Sequence, residues 1–202
     1  LLDSAQEQLA LEGGIYASNE QKISDNFQIN YGVRLTSFSN IGEYTVPTFN
    51  SENEVISETN YDPGEFYNTY WNLEPRFSAN YLINPSSSIK LSYNRNAQYM
   101  HLLSNSTSDS PTDMWIPSSP NVKPVIADQL ALGYFKNFKE NKYKFSAEAY
   151  YKNLQNTVDY ADGADIFGND NLESELVYGD GRAFGVELLF ENARKNKRNS
   201  SM

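Results

Sequence analysis

Residues 71–103, WNLEPRFSANYLINPSSSIKLSYNRNAQYMHLL, constrain this chain more than any other stretch. Alternate residues Tyr67, Thr69, Trp71, Leu73, Pro75, Phe77, Ala79, Tyr81 and Ile83 are almost all apolar, and Asn68, Tyr70, Asn72, Glu74, Arg76, Ser78, Asn80 and Leu82 between them almost all polar. After Asn84-Pro85-Ser86-Ser87 the pattern resumes, with Ile89, Leu91, Tyr93, Ala97 and Tyr99 against Lys90, Ser92, Asn94, Asn96 and Gln98. A period of two is the signature of a pleated strand with one apolar and one polar face. The Asn-Pro-Ser-Ser segment supplies turn chemistry, because Pro85 cannot donate to a ladder. The stretch reads as a hairpin with arms of about 15 residues, against a usual strand of about 5–6.

The same alternation recurs along the chain. Strands are expected over residues 6–18 (Leu9, Leu11, Ile15 and Ala17 sharing a face), 26–39 (Phe27, Ile29, Tyr31, Val33 and Leu35), 127–138 (Leu130, Leu132, Tyr134 and Phe138), 143–159 (Tyr143, Phe145, Ala147, Ala149 and Tyr151) and 181–191 (Phe184, Val186, Leu188 and Phe190). Residues 40–65, 104–126 and 160–180 are long polar connections, whereas 19–25, 84–87 and 139–142 are short links. Short and long links therefore alternate without exception. In an up-and-down antiparallel sheet alternate links lie at the same end, so all short turns gather at one end and all long loops at the other. Transmembrane barrels sort their links this way, with short periplasmic turns and long extracellular loops. Strands of about 12–17 residues exceed the ~9–11 that cross a bilayer at a tilt. Phe27, Tyr81, Phe138 and Tyr143, with Ile83 and Ile89, sit beside the short turns on the apolar faces, where an interfacial girdle belongs. The expected fold is all-β, an antiparallel meander of about seven long strands forming part of a large transmembrane barrel. A soluble β-sandwich would pack the same faces into a core, but its strands are shorter and its links are not sorted by length.

Composition removes other classes. The chain has 202 residues, a net charge of −10 and no cysteine, which excludes disulfides, thiolate metal sites and a basic nucleic-acid face. No run of 18 apolar residues is present, so a transmembrane helix is excluded. A barrel is not, because its segments are short and alternating. The chain opens on neither an initiator Met nor a signal peptide, which suggests a piece of a longer protein. One histidine, His101, reads as a polar residue at the loop-side rim, and no catalytic constellation accompanies it. Asp159, Asp162, Asp165 and Asp170 crowd the third long loop. Their spacing does not match an EF-hand, and the loop reads as solvated, with no metal assigned.

Residues Leu73 to Gly133 (LEPRFSANYLINPSSSIKLSYNRNAQYMHLLSNS, then PTDMWIPSS, then KPVIADQLALGYF), followed by FSAEAYYKNLQNTVDYADGADIFGN and GRAFGVELLFE, resemble the barrel of TonB-dependent outer-membrane receptors of the Bacteroidetes type. The resemblance covers about residues 10–191. It implies a Gram-negative outer-membrane barrel of 22 strands with a plug domain in its lumen. It also implies energised uptake of an iron chelate, cobalamin, glycan or peptide through the TonB complex, with no enzymatic activity and no cofactor. About seven strands fall far short of closure, and neither a plug nor a TonB box is seen ahead of the barrel. The chain is therefore expected to be a fragment, with barrel over residues 1–191 and a basic, polar, disordered tail over 192–202. A passive porin-like channel or a soluble binding or adhesion module are the alternatives.

The resemblance also sorts the candidate residues. Arg34, Asn72, Glu74, Arg76, Lys90, Asn94 and Gln98, with Gln28, Asn30, Asn80 and Asn96, fall on the lumen side. Their mixed signs suit a plug better than an ion-selective ring. Asn105, Asp113 and Trp115, with Pro111, Thr112 and Pro117, fall in a loop over the outer mouth. There, bracing by Asp113 and Trp115 is the first reading and ligand contact the second. Further ligand contacts are expected from Tyr44, Phe49, Tyr61 and Phe66 in the first loop and from Tyr160, Asp162 and Phe167 in the third.

Overall fold

A computed structural model describes residues 8–103, 114–139, 141–164 and 172–192. Eleven strands are present among them: β1 (Leu9–Lys22), β2 (Phe27–Ile41), β3 (Tyr44–Phe49), β4 (Val55–Tyr61), β5 (Phe66–Asn84), β6 (Ser87–Gln98), β7 (Met100–Leu103), β8 (Met114–Pro117), β9 (Val125–Phe138), β10 (Tyr143–Tyr160) and β11 (Leu176–Asn192). Seven of them form one antiparallel sheet in the order β1-β2-β5-β6-β9-β10-β11, so each long strand pairs with its neighbours in sequence. The other four form two separate hairpins, β3-β4 and β7-β8, which stand on the long connections.

The expected strands are all present, and most run further than the alternation alone shows. β1 continues through Lys22, leaving residues 23–26 as the first turn, and β11 begins at Leu176, five residues before the expected start at 181. The first connection is not irregular. It carries a hairpin in which Tyr44 pairs with Tyr61 and Phe49 with Val55. The second carries β7 and β8, with Met100 opposite Pro117.

Register keeps the two faces apart across the whole sheet. Phe27 pairs with Tyr81, Tyr81 with Ile89, and Ile89 with Tyr134. Tyr134 then pairs with Ala147, and Ala147 with Leu188. On the other side of the pleat Gln28 pairs with Asn80 and Asn80 with Lys90. A slip of one residue would exchange the faces, so this alignment is strongly selected.

Among the described residues nothing forms a second layer over the apolar face. Leu73, Tyr81, Leu132, Phe184 and Leu188 are all exposed, with Phe184 at 79% and Leu188 at 71%. On the polar face the residues toward the long connections are covered: Glu74 is 4% exposed, and Thr36 and Asn40 each 1%. Among the described residues a buried hydrophobic cluster, Leu103, Ile116, Val122 and Leu176, lies at the loop end, where Val158, Tyr160 and Leu172 pack against it. An apolar sheet face turned outward and a polar face turned inward is the inversion that a lipid-embedded barrel requires.

Candidate functional site: a membrane band and a braced mouth

The exposed apolar face is a band with two limits. On β2 the outward run is Phe27 to Leu35, on β9 Leu130 to Phe138 and on β10 Tyr143 to Tyr151, nine residues in each case. That length meets the requirement for a tilted strand crossing hydrocarbon, about 9–11 residues. At the short-turn limit the expected girdle is in place. Phe27 meets Tyr81 edge-on with ring centroids 6.4 Å apart, and Tyr143 stacks on Phe190 at 5.7 Å. At the loop-side limit a second set of aromatic residues follows the register, Tyr93 opposite Leu130, Leu130 opposite Tyr151 and Tyr151 opposite Phe184. Immediately beyond it the same face turns polar. Arg95 lies opposite Asp128, Asp128 opposite Asn153 and Asn153 opposite Arg182. Arg95 Nε is 3.6 Å from Asp128 Oδ1, which also accepts a hydrogen bond from the Tyr93 hydroxyl at 2.7 Å. An ion pair with a tyrosine below it suits the headgroup zone and not the hydrocarbon. The alternation alone did not reveal this upper limit. The signal was the change from Leu130 to Asp128 and from Phe184 to Arg182 at unchanged parity.

Above the band, the second connection folds onto the polar face and is held there by named bonds. β6 ends at Gln98, and Tyr99 turns to the inner side, against the expectation that it continues the outward apolar row. It is 3% exposed and stacks on Phe38 at 4.9 Å. Its hydroxyl lies 2.7 Å from Thr36 Oγ1 and accepts a hydrogen bond from Asn72 Nδ2 at 2.9 Å. Asn40 Nδ2 donates to the Ser118 carbonyl at 2.8 Å, and the Tyr70 hydroxyl donates to the Ser119 carbonyl at 2.7 Å. The connection also grips its neighbours. Ser119 Oγ and Asn121 Nδ2 donate to the two carboxylate oxygens of Glu173 in the third connection, each at 2.6 Å. Asn121 Nδ2 reaches the Pro47 carbonyl in the first at 2.9 Å. Ser118, Ser119 and Val122 are essentially fully buried. Three long connections therefore meet at one short segment, Ser118 to Val122.

Several expected roles fall elsewhere. Trp115 is 62% exposed on β8, and the hydrogen bonds that tie the connections together come from Ser118, Ser119, Asn121 and Glu173. His101 is not a rim residue. It is 2% exposed and its Nε2 lies 3.0 Å from Ser118 Oγ. Burial lowers its pKa from 6.5, so the ring is held neutral. Tyr44, Tyr61 and Tyr160 are engaged in packing. Tyr67 stacks on Tyr44 at 5.7 Å and on Tyr61 at 4.9 Å, while Tyr160 packs on the hydrophobic cluster. Burial, and then the negative charge of Glu173, push the Tyr44 hydroxyl up to about 12, although Gln8 donates to it. Phe66 and Asp162 are exposed and Phe49 is half-buried. Asn105, Asp113 and Phe167 lie outside the described residues.

The expected inner set shares one face of the sheet. Glu74 accepts from Thr36 Oγ1 at 2.9 Å and lies 3.8 Å from Arg76, which donates to Asn96 Oδ1 at 3.1 Å. Arg34 is 3.9 Å from Glu12, and Gln98 donates to the Met100 carbonyl at 2.7 Å. Lys90 pairs in register with Asn80, and Asn94 with Arg76. Below the braced segment the face is open and holds a groove of about 620 Å³ beside Tyr16, Gly32, Arg34 and Arg76. Gly32 is needed there, because a Cβ would meet the Ala17 carbonyl oxygen at 2.8 Å. Among the described residues no group of three His, Cys, Asp or Glu side chains is arranged to hold a metal ion.

Comparison with known proteins agrees with this geometry. A search of the curated proteins finds no match. Among solved structures, the chain is similar to the alcaligin outer membrane receptor FauA of Bordetella pertussis, with 14% identity and a TM-score of 0.53, over 92% of this chain and 27% of that one. It is similar to the FrpB iron transporter of Neisseria meningitidis in its apoprotein form, with 14% identity and a TM-score of 0.60, over 93% and 24%. It is also similar to the ferric-catecholate import receptor Fiu of E. coli K12, with 17% identity and a TM-score of 0.54, over 92% and 26%. The chain thus spans about a quarter of the length of these receptors. The family model described as TonB dependent receptor-like, beta-barrel matches residues 3–195. With its outward band, sorted links and inward polar face, the chain belongs to that family and is barrel wall of the Gram-negative outer membrane.

Proposed function

We propose that this chain is the wall and part of the mouth of a receptor that takes up a scarce ligand, with energy delivered through TonB. The observation that carries this reading is the division of the polar face. Its upper part is closed by the segment Ser118 to Val122, and its lower part is left open in mixed charge, with Arg34 beside Glu12, Arg76 beside Glu74, and Lys90. A lower face of that kind suits a plug domain, which would hydrogen-bond to Arg34, Arg76, Lys90 and Asn94, whereas Asn72, Glu74 and Gln98 are already bonded within the braced part. An ion-selective pore would favour one sign. The solved structures it resembles are named for alcaligin, iron and ferric catecholate, which puts an iron chelate first among ligands, ahead of cobalamin, a glycan or a peptide. Ligand contacts fall to exposed side chains at the mouth, with Phe66, Trp115 and Asp162 as the available members of the expected set. The family is one of receptors, and no reaction is assigned to these residues. The test is uptake of a labelled iron chelate by cells carrying the full-length receptor, with and without TonB. Uptake that depends on TonB supports the reading. Passage at the same rate without TonB would make the barrel a passive pore.

A further inference from the structure

The third short turn carries a feature that uptake does not use. Lys139-Glu140-Asn141-Lys142 joins β9 to β10, and Lys136 stands one outward position above Phe138. The three ammonium groups gather around two girdle rings. Lys136 Nζ lies 5.2 Å from the Phe138 centroid, and Lys139 and Lys142 Nζ lie 5.8 and 5.5 Å from that of Tyr143. Among the described residues none of the three makes an ion pair with a carboxylate; Glu140 lies outside them. In a chain of net charge −10 this is a local excess of positive charge. The first two short turns do not share it: one pairs Lys22 with Asp25 at 2.7 Å, and the other, Pro85-Ser86, carries no charge.

Directly above this cluster, on the same outward face, the apolar band is indented. Ala147 and Ala149 on β10 are flanked by the larger Ile89, Leu132 and Tyr134 on one side and Val186 on the other, leaving a groove of about 270 Å³. Glu148 turns to the opposite face, where its Cγ lies 3.3 Å from the point that a Cβ on Gly133 would occupy. Two residues along a strand advance about 7 Å. Lys136 is therefore one such step from Tyr134 at the groove, and the turn is one step further. An apolar trough in the hydrocarbon zone, ending on a cluster of cations in the headgroup zone, has the order of apolar and charged zones of a phospholipid.

We propose that the outward face of β9, β10 and β11 holds one anionic glycerophospholipid of the inner leaflet, its phosphate among Lys136, Lys139 and Lys142 and an acyl chain against Ala147 and Ala149. Charge complementarity selects the headgroup. Three lysines against the one carboxylate of the turn, Glu140, leave a net charge of +2 in the sequence, more than a zwitterionic lipid neutralises, and each favourable Lys–anionic lipid contact is worth about a factor of five. The snorkelled lysines keep their ammoniums at the aromatic girdle, where a phosphate also sits. The proposal needs the chain's place in the membrane but not the uptake reading.

Native mass spectrometry of the full-length receptor in detergent, with added phosphatidylglycerol, phosphatidylethanolamine or inorganic phosphate, tests it. The account expects one phosphatidylglycerol retained in preference to phosphatidylethanolamine. Each of Lys136→Gln, Lys139→Gln and Lys142→Gln should lower that retention about fivefold, and Lys22→Gln should leave it unchanged. Ala149→Phe, which fills the groove and keeps the charges, should lower retention of either lipid. Retention unchanged in all three lysine variants would overturn the proposal. So would displacement of the lipid by inorganic phosphate, which would show a free-anion site. Ligand uptake by the same variants reads the transport function separately, so the two ideas can fail independently.

Discussion

At the residue scale, two side chains test opposite environments. Phe77 stands in the middle of the apolar face of β5, opposite Tyr31 and Tyr93, and is 39% exposed. Phe77→Arg in the full-length barrel is expected to cost about 2–4 kcal/mol in a bilayer, measured by reversible unfolding in lipid vesicles. Ser78→Arg, one residue along, should cost far less because that position faces the lumen. His101 tests the braced mouth. Its pKa is lowered by burial, so the released loop binds a proton more readily than the anchored one. Anchoring is therefore fully present above the ordinary value of 6.5 and weakens as pH falls through it. Hydrogen exchange of residues 114–126, corrected for intrinsic rates, should show less protection at about pH 5.5 than at about pH 7.5. His101→Gln should flatten that dependence, whereas protection that rises on acidification would contradict the assignment.

At the element scale, long strands were legible in the sequence and short ones were not. The pattern in β2, β5 and β10 repeats over 15, 19 and 18 residues, so one exception such as Thr69 or Leu82 does not obscure it. β7 and β8 have four residues each, too few for a period of two to show. β3 and β4 carry Pro47, Thr48, Ser57 and Glu58, which read as loop in isolation. The bracing was hidden for a different reason. Ser118, Ser119 and Asn121 look like ordinary loop residues, and only the long-range partners Asn40, Tyr70 and Glu173 give them their role. Glu173→Gln should weaken both bonds by removing the charge that strengthens them. Asn40→Ala leaves the buried Ser118 carbonyl without its donor, at a cost of about 1–3 kcal/mol. Both should raise exchange at residues 118–122 while the ladder of β2 and β5 stays protected. Equal exchange with and without the substitutions would show that the segment is held by something else.

At the scale of the whole molecule, the family assignment and the geometry agree on an incomplete wall. β1 and β11 are the two edges of the seven-stranded sheet, and each presents unpaired backbone groups that hydrocarbon cannot satisfy. The chain alone is therefore expected to aggregate without detergent, and to enter lipid stably only when the remaining strands of the receptor close the barrel. The fold was readable because a barrel sorts its links by length and its faces by polarity, and both orders survive in a fragment. The ligand was not readable, because the mouth is built from side chains brought together across three connections.

The account rests on which face meets hydrocarbon. Single spin labels placed in the full-length receptor, in lipid vesicles, at Ile29, Phe77, Leu91 and Leu132, and then at Asn30, Ser78, Ser92 and Ala131, measure this directly through relaxation by oxygen and by a water-soluble nickel complex. The first four should be relaxed by oxygen and shielded from nickel, and their neighbours should show the reverse. Equal accessibility in both sets, or the exchanged pattern, would contradict the account.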